Sequence, residues 1–171
     1  MVVLETAYVL HVLAGGFWTG ATLYVVVGIL PPASDDRLAP ATFVDQMHRL
    51  LLITRWTGIV LPVTGLYLLW VLYTPLDVLL ETAQGLAVLA MLTLWGIMNG
   101  LIEMGVLRMR NTVEETGFGT YMAEGFPRAM LGDDATTAQF VAVGKPYLLA
   151  SGLCAVLLLA IAGLLAVGVS W

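Results

Sequence analysis

Residues 6–34 read TAYVLHVLAGGFWTGATLYVVVGILPPAS and contain no charged side chain. A helix needs about 20 apolar residues to cross a bilayer, so this stretch is long enough to do so. Three further stretches, residues 56–76, 82–102 and 146–171, are also free of charge. The sequence therefore predicts an all-α membrane protein with four transmembrane helices.

The composition excludes an ordinary soluble domain. Hydrophobic residues make up 60% of the chain and charged residues 11%, whereas about a quarter of a soluble domain is charged. The net charge of −5 argues against binding to nucleic acid and against docking on anionic lipid through a basic surface. The expected partner is the lipid bilayer, and a homo-oligomer or a membrane partner subunit is left open.

The helix boundaries follow from prolines and charges. Pro31 and Pro32 predict the end of the first helix, Pro40 precedes the second, and acidic residues after Arg110 extend the third into solvent. The expectation is a single transmembrane domain, 1–171, with helices at about 5–30, 42–73, 82–115 and 137–170 and an interfacial loop at 116–136.

The basic residues predict the topology. All seven lie in or beside the first and third connections: Arg37, Arg49, Arg55, Arg108, Arg110, Arg128 and Lys145. Under the positive-inside rule both connections are cytoplasmic. We therefore expect an antiparallel four-helix bundle, multi-pass in the plasma membrane, with both termini outside the cytoplasm.

His11 is the first candidate site residue. An ionisable side chain within a membrane helix needs a partner or a role. His11 either bonds to a neighbour, with Tyr67 the nearest acceptor, or ligates haem iron or a metal ion. His48 lies toward the opposite membrane face and cannot complete the same ligand sphere. Met91 is the soft ligand expected at the depth of His11, although a methionine there also suits plain core packing.

A second polar group belongs to the cytoplasmic half: Arg55, Asn99, Glu103 and Lys145. We expect Arg55 to pair with Glu103, so that neither charge is bare inside the bundle. A proton or ion pathway would give a similar pattern, and snorkelling would also account for Arg55 and Lys145.

Two pairs of glycines, Gly16 with Gly20 and Gly96 with Gly100, have the spacing that lets membrane helices approach closely. Catalytic motifs are absent from the sequence: it has no HExxH, CxxC, phosphate-binding loop or serine elbow. No motif therefore indicates whether the protein is an enzyme.

The segment His11-x6-Trp18-x-Gly20, with Thr64-Gly65-Leu66-Tyr67-Leu68 in the second helix, resembles the CopD-type copper-resistance membrane family. It is also similar to the related four-helix HemJ-type protoporphyrinogen oxidases. The first resemblance implies copper uptake. The second implies haem b, bound by the first-helix histidine, and oxidation of protoporphyrinogen IX.

The Trp18-x-Gly20 spacing and the Thr64-Gly65-Leu66-Tyr67 stretch favour the CopD side, and the departures from the HemJ-type pattern argue against the oxidase. Val27 and Gln84 stand where HemJ-type chains have an arginine and a lysine. The expected function is therefore copper handling or transport. A haem b redox protein is the alternative, and a structural or accessory subunit is the third. The expected cofactor site comprises His11, Trp18, Tyr67 and Met91, with His11 as metal ligand to haem or copper.

Overall fold

The computed structural model describes residues 2–75, 77–132 and 135–168, and within these ranges the chain is helical with no strand. Four helices are long and apolar enough to cross a membrane: Val2–Ser34, Pro40–Leu72, Ala83–Arg110 and Thr137–Ala166. The prediction of four membrane-spanning segments is thus confirmed at the level of length and composition.

The elements are α1 (Val2–Tyr24), a π-helical turn (Val25–Ile29), α2 (Leu30–Ser34), α3 (Pro40–Leu72), α4 (Val78–Glu81), α5 (Ala83–Arg110), α6 (Phe118–Glu124), a 3-10 turn (Arg128–Met130) and α7 (Thr137–Ala166). α4 and α6 are short helices that the sequence did not predict.

The prediction that Pro31 and Pro32 end the first helix at Leu30 is wrong, because helical structure continues to Ser34. The wider π turn precedes them, and the Leu30 N–H bonds to the carbonyl of Val25, five residues earlier. Both prolines then lie in the first turn of α2, where the backbone nitrogen does not have to donate a hydrogen bond within the helix.

The third helix ends at Arg110, five residues before the predicted end at 115. The Arg110 side chain bonds to residues 116–125, so the chain turns back instead of continuing into solvent. The fourth helix begins at Thr137 as predicted, after a capping box formed by Thr136 and Gln139. It ends at Ala166, before the predicted end at 170, because the chain turns at Val167 and Gly168; residues 169–170 of the predicted range lie outside the described residues.

The described part of the predicted interfacial loop, 116–132 and 135–136, packs onto the ends of the long helices. Tyr121 and Phe126 are fully buried. The Phe126 ring meets Phe140 of α7 edge-on at 5.5 Å, and Phe140 stacks on Phe43 of α3 at 6.3 Å. Aromatic side chains therefore close this end of the bundle, which we call the loop end: residues 35–39, 111–132, 135–136 and the helix halves beside them.

Packing is uneven along the helices. The most deeply buried side chains belong to the loop end, including Met47, Met98, Met109 and Leu148, each with no exposed surface. By contrast, no residue from Val2 to Phe17 is buried. Large apolar side chains such as Trp56 are more than two thirds exposed. Apolar surface of this kind is typical of a helix covered by lipid.

Candidate functional site

The imidazole of His11 lies against α3. Its Nδ1 is 2.9 Å from the Thr64 hydroxyl oxygen. The Thr64 hydroxyl in turn donates to the carbonyl of Val60 at 2.7 Å, one helical turn earlier. His11 is half-buried at this contact, and Thr64 is buried.

Gly65 makes the close approach possible. A β-carbon at position 65 would stand only 3.1 Å from Cε1 of His11 and 3.6 Å from its Nδ1. A β-carbon there would push the ring away from α3 by a few tenths of an ångström. The structure therefore brings together the first-helix histidine and the Thr-Gly pair of the second helix, the two segments on which the family resemblance rests.

The prediction that Tyr67 accepts the hydrogen bond of His11 is wrong, because Thr64 occupies that role. Thr64 is short and stands beside Gly65, so its hydroxyl lies on the helix surface that the ring contacts. Tyr67 is half-buried and makes no hydrogen bond to His11. Met91 is also half-buried and packs against the apolar core.

Trp18 joins α1 to α3 at a second position along the two helices, apart from the contact between His11 and Thr64. The side chain is 1% exposed, and its indole N–H donates to the Thr54 hydroxyl at 3.1 Å. Seven residues separate Trp18 from His11, which is about 10 Å along a helix. In this structure Trp18 therefore fixes the pairing of the two helices rather than touching His11.

The other ring nitrogen of His11, Nε2, makes no hydrogen bond within the described ranges. The side-chain atoms there that are fully buried without a partner are His48 Nδ1 and Trp95 Nε1. His11 Nε2 is not among them, and since it makes no hydrogen bond there, it has surface that is accessible outside the protein.

The predicted ion pair between Arg55 and Glu103 is confirmed. Arg55 Nε lies 3.1 Å from Oε1 of Glu103, and Nη2 lies 3.3 Å from Oε2. Arg55 also donates to the carbonyls of Tyr121 and Met122 at 3.2 and 2.7 Å. The guanidinium therefore connects α3, α5 and α6.

Tyr121 completes this network from α6. Its hydroxyl donates to Oε2 of Glu103 at 2.7 Å, and the Arg55 guanidinium lies 5.1 Å from the ring centroid. Burial, and then the hydrogen bond to Glu103, raise the pKa of Tyr121 above its usual range. The phenol therefore stays protonated and acts as the donor.

Asn99 and Lys145, the other members of the predicted polar group, do not join this network. Asn99 donates to the carbonyl of Trp95 at 3.1 Å, and its Oδ1 stands 3.6 Å from where a β-carbon of Gly58 would lie. Lys145 is exposed. It lines an open surface groove of about 510 Å³ with Ser34, Ala138, Val141, Ala142, Pro146 and Leu149.

Arg110 is a structural residue that sequence reasoning missed. It is 2% exposed, donates to Oε2 of Glu124 at 2.7 Å and to the Thr116 hydroxyl at 3.0 Å, and also bonds to the Gly125 carbonyl. With Arg55, it satisfies carbonyls at the C-terminal end of α6. Its partners lie up to 15 residues away in an irregular segment, so the contact has no regular helical spacing by which the sequence could predict it.

Across the part of the chain that the structure describes, no three His, Cys, Asp or Glu side chains are grouped so that they could hold a metal ion. A second shallow depression, of about 290 Å³, is lined by Glu5, Thr6, Val9 and Leu10. Neither this depression nor the groove at Lys145 includes His11. The site around His11 thus offers one imidazole rather than a set of ligands.

Comparisons of the chain with protein-family models, with curated proteins and with solved structures give no match.

Proposed function

We propose that this chain is a CopD-like integral membrane protein that holds a metal-containing group, haem b or copper, through Nε2 of His11. The observation that carries the proposal is the unpaired Nε2 of His11 within the uncharged stretch 6–34. Lipid offers an imidazole nitrogen no hydrogen bond, so a group that shares its lone pair would remove an energetic penalty.

The number of donors favours haem over a bare metal ion. A haem iron is held in many proteins by one axial imidazole, whereas a protein site for an isolated ion needs several ligands. The described residues include no group of three or more His, Cys, Asp or Glu side chains that could hold an ion. A haem bound there would supply one-electron redox chemistry. The contribution of the chain's own residues is to hold the imidazole on α3 through Thr64 and Gly65.

Copper handling is the second candidate, and one residue favours it. Met91 carries a thioether, the kind of soft ligand that suits Cu(I), and stands at the depth predicted for His11. Protoporphyrinogen oxidation is not part of the proposal. Val27 and Gln84 cannot pair with porphyrin propionates as an arginine and a lysine would.

The topology is part of the same proposal: an antiparallel bundle in the plasma membrane, with both termini outside and His11 in the outer half. The positions of the basic residues support it. So do the contacts between helices, since the residue numbers on α1 fall as those on α3 rise, from Trp18 with Thr54 to His11 with Thr64.

Single cysteines test the topology. In a Cys154→Ser background, a membrane-impermeant thiol reagent applied to intact cells should label Asp77→Cys and leave Gly132→Cys unlabelled. Labelling of Gly132→Cys alone would reverse the orientation.

The bound group is tested on protein purified in mild detergent. A Soret band that is lost in His11→Ala and retained in His48→Ala would support haem, and copper found by elemental analysis with the same dependence would support metal handling. His48 is the matched control, because it is the other histidine of the chain. Protein that carries neither group would point to a structural or accessory subunit. A group that His11→Ala retains would overturn the proposal.

A further inference from the structure

We infer that Thr64 is the positioning residue that selects the tautomer of His11, keeping the proton on Nδ1 and leaving the lone pair on Nε2. The use of that lone pair as a ligand rests on the proposed function. The tautomer itself follows from the contacts of His11 with α3, whether or not a group is bound.

The Thr64 hydroxyl has a single proton to donate. Its oxygen lies 2.7 Å from the Val60 carbonyl, 3.3 Å from the Leu61 carbonyl and 2.9 Å from His11 Nδ1. A carbonyl can only accept. A hydroxyl that donates to Val60 therefore presents a lone pair to the ring, and Nδ1 must supply the proton of the second bond.

The opposite assignment makes one hydrogen bond fewer. If the hydroxyl donated to Nδ1, the proton of the neutral imidazole would move to Nε2, which has no acceptor among the described residues, and the bond to Val60 would be lost. The loss of one hydrogen bond corresponds to about a tenfold change in the tautomer ratio. The Nδ1–H form is thus favoured by about this factor.

Gly65 adds a steric constraint to this hydrogen bond. The Nδ1 and Cε1 edge of the ring lies directly over Gly65, so this edge is held against α3. Nε2 is left as the accessible nitrogen. Where a histidine binds a metal, the hydrogen bond made by its other nitrogen fixes which one ligates. Thr64 and Gly65 therefore define Nε2 as the ligating atom of the proposed site.

The experiment compares Thr64→Val, Thr64→Ser and Thr57→Val by long-range ¹H–¹⁵N correlation spectra of ¹⁵N-histidine-labelled protein without added ligand. The chain has two histidines, so His11→Gln assigns the signals. Thr57 is the matched control, because its buried hydroxyl donates to the Ile53 carbonyl at 2.8 Å on the same helix without a histidine partner.

We expect protonated Nδ1 and unprotonated Nε2 in the wild type, Thr64→Ser and Thr57→Val, with the Nε2–H form rising about tenfold relative to Nδ1–H in Thr64→Val. Wild-type protein with Nε2–H, or a Thr64→Val spectrum that matches the wild type, would overturn the inference.

A titration with ferric haem b separates this inference from the proposed function. If both hold, Thr64→Val should bind haem roughly 10–100-fold more weakly than Thr64→Ser, as for other hydrogen-bond partners of ligating histidines. If the spectra show the expected tautomers but neither haem nor copper binds to wild-type protein, the proposed function fails and the role of Thr64 stands.

Discussion

Replacing Arg55 or Glu103 with leucine should destabilise the protein more than expected from one hydrogen bond. Removing one partner of a buried ion pair costs about 3–5 kcal/mol. The side chains of Arg55 and Glu103 are 21% and 23% exposed, so partial screening reduces the expected loss to about 2–3 kcal/mol for each single variant.

The double variant should lose much less than the sum of the two single losses. Among the described residues, Arg55→Leu leaves the Glu103 carboxylate with the Tyr121 hydroxyl as donor. Glu103→Leu leaves Arg55 with the carbonyls of Tyr121 and Met122 and the Met122 sulfur as acceptors. Replacing both removes the stranded charge in each case. We expect a coupling energy of about 1–3 kcal/mol between the two positions.

The measurement is a double-mutant cycle on the free energy of unfolding in detergent, followed by tryptophan fluorescence. Arg37 and Asp35 provide the control pair. They lie 2.6 Å apart, but their side chains are 67% and 60% exposed, so their coupling should stay below about 1 kcal/mol. Additive losses at Arg55 and Glu103, or equal coupling in both pairs, would refute the reasoning.

Three further predictions concern packing and pH. Trp18→Phe should destabilise the protein by about 1–3 kcal/mol in the same unfolding assay, because the indole N–H is lost from a buried hydrogen bond. Folding raises the pKa of Tyr121, so the stability that its phenol contributes should be present below about pH 10 and decline above it; the gap to Tyr121→Phe should narrow there, and a constant gap would contradict this. Gly105→Ala places a β-carbon 2.9 Å from a tyrosine of α7 and should cost about 1–3 kcal/mol, whereas Gly96→Ala meets nothing within 4 Å and should be neutral or stabilising.

The four long helices could be predicted because lipid imposes a simple requirement. A chain segment that crosses a bilayer must satisfy its backbone internally and carry few charges, and both conditions are visible as uncharged stretches. The pairing of Arg55 with Glu103 was predictable for a related reason. Opposite charges placed at one depth have few other ways to avoid an apolar environment.

Contacts that depend on irregular backbone were not predictable. The π turn before Pro31 places both prolines where the helix needs no N–H donor. The residue types around the turn do not predict it. Arg110 ends the third helix through partners at 116–125, in a segment with no regular period. In both cases the deciding interaction is specific to the folded geometry.

The spacing of the glycines did not predict which of them lie in close helix contacts. Gly16 and Gly96, each the first member of a predicted close-packing pair, have nothing within 4 Å of an added β-carbon. The close contacts belong to other glycines, such as Gly65 beside His11 and Gly105 beside Tyr147. A small residue permits close approach on whichever face it occupies, and the sequence does not say which face a neighbouring helix will cover.

The uneven packing determines how the candidate site can be tested. The buried aromatic cluster and both arginine networks belong to the loop end, whereas His11 lies among residues of α1 of which none is buried before Trp18. One hydrogen bond, worth about 1 kcal/mol, ties its side chain to α3. Replacing His11 should therefore leave the apolar core intact. Loss of a bound group in a His11 variant that unfolds like the wild type would then report ligation rather than folding.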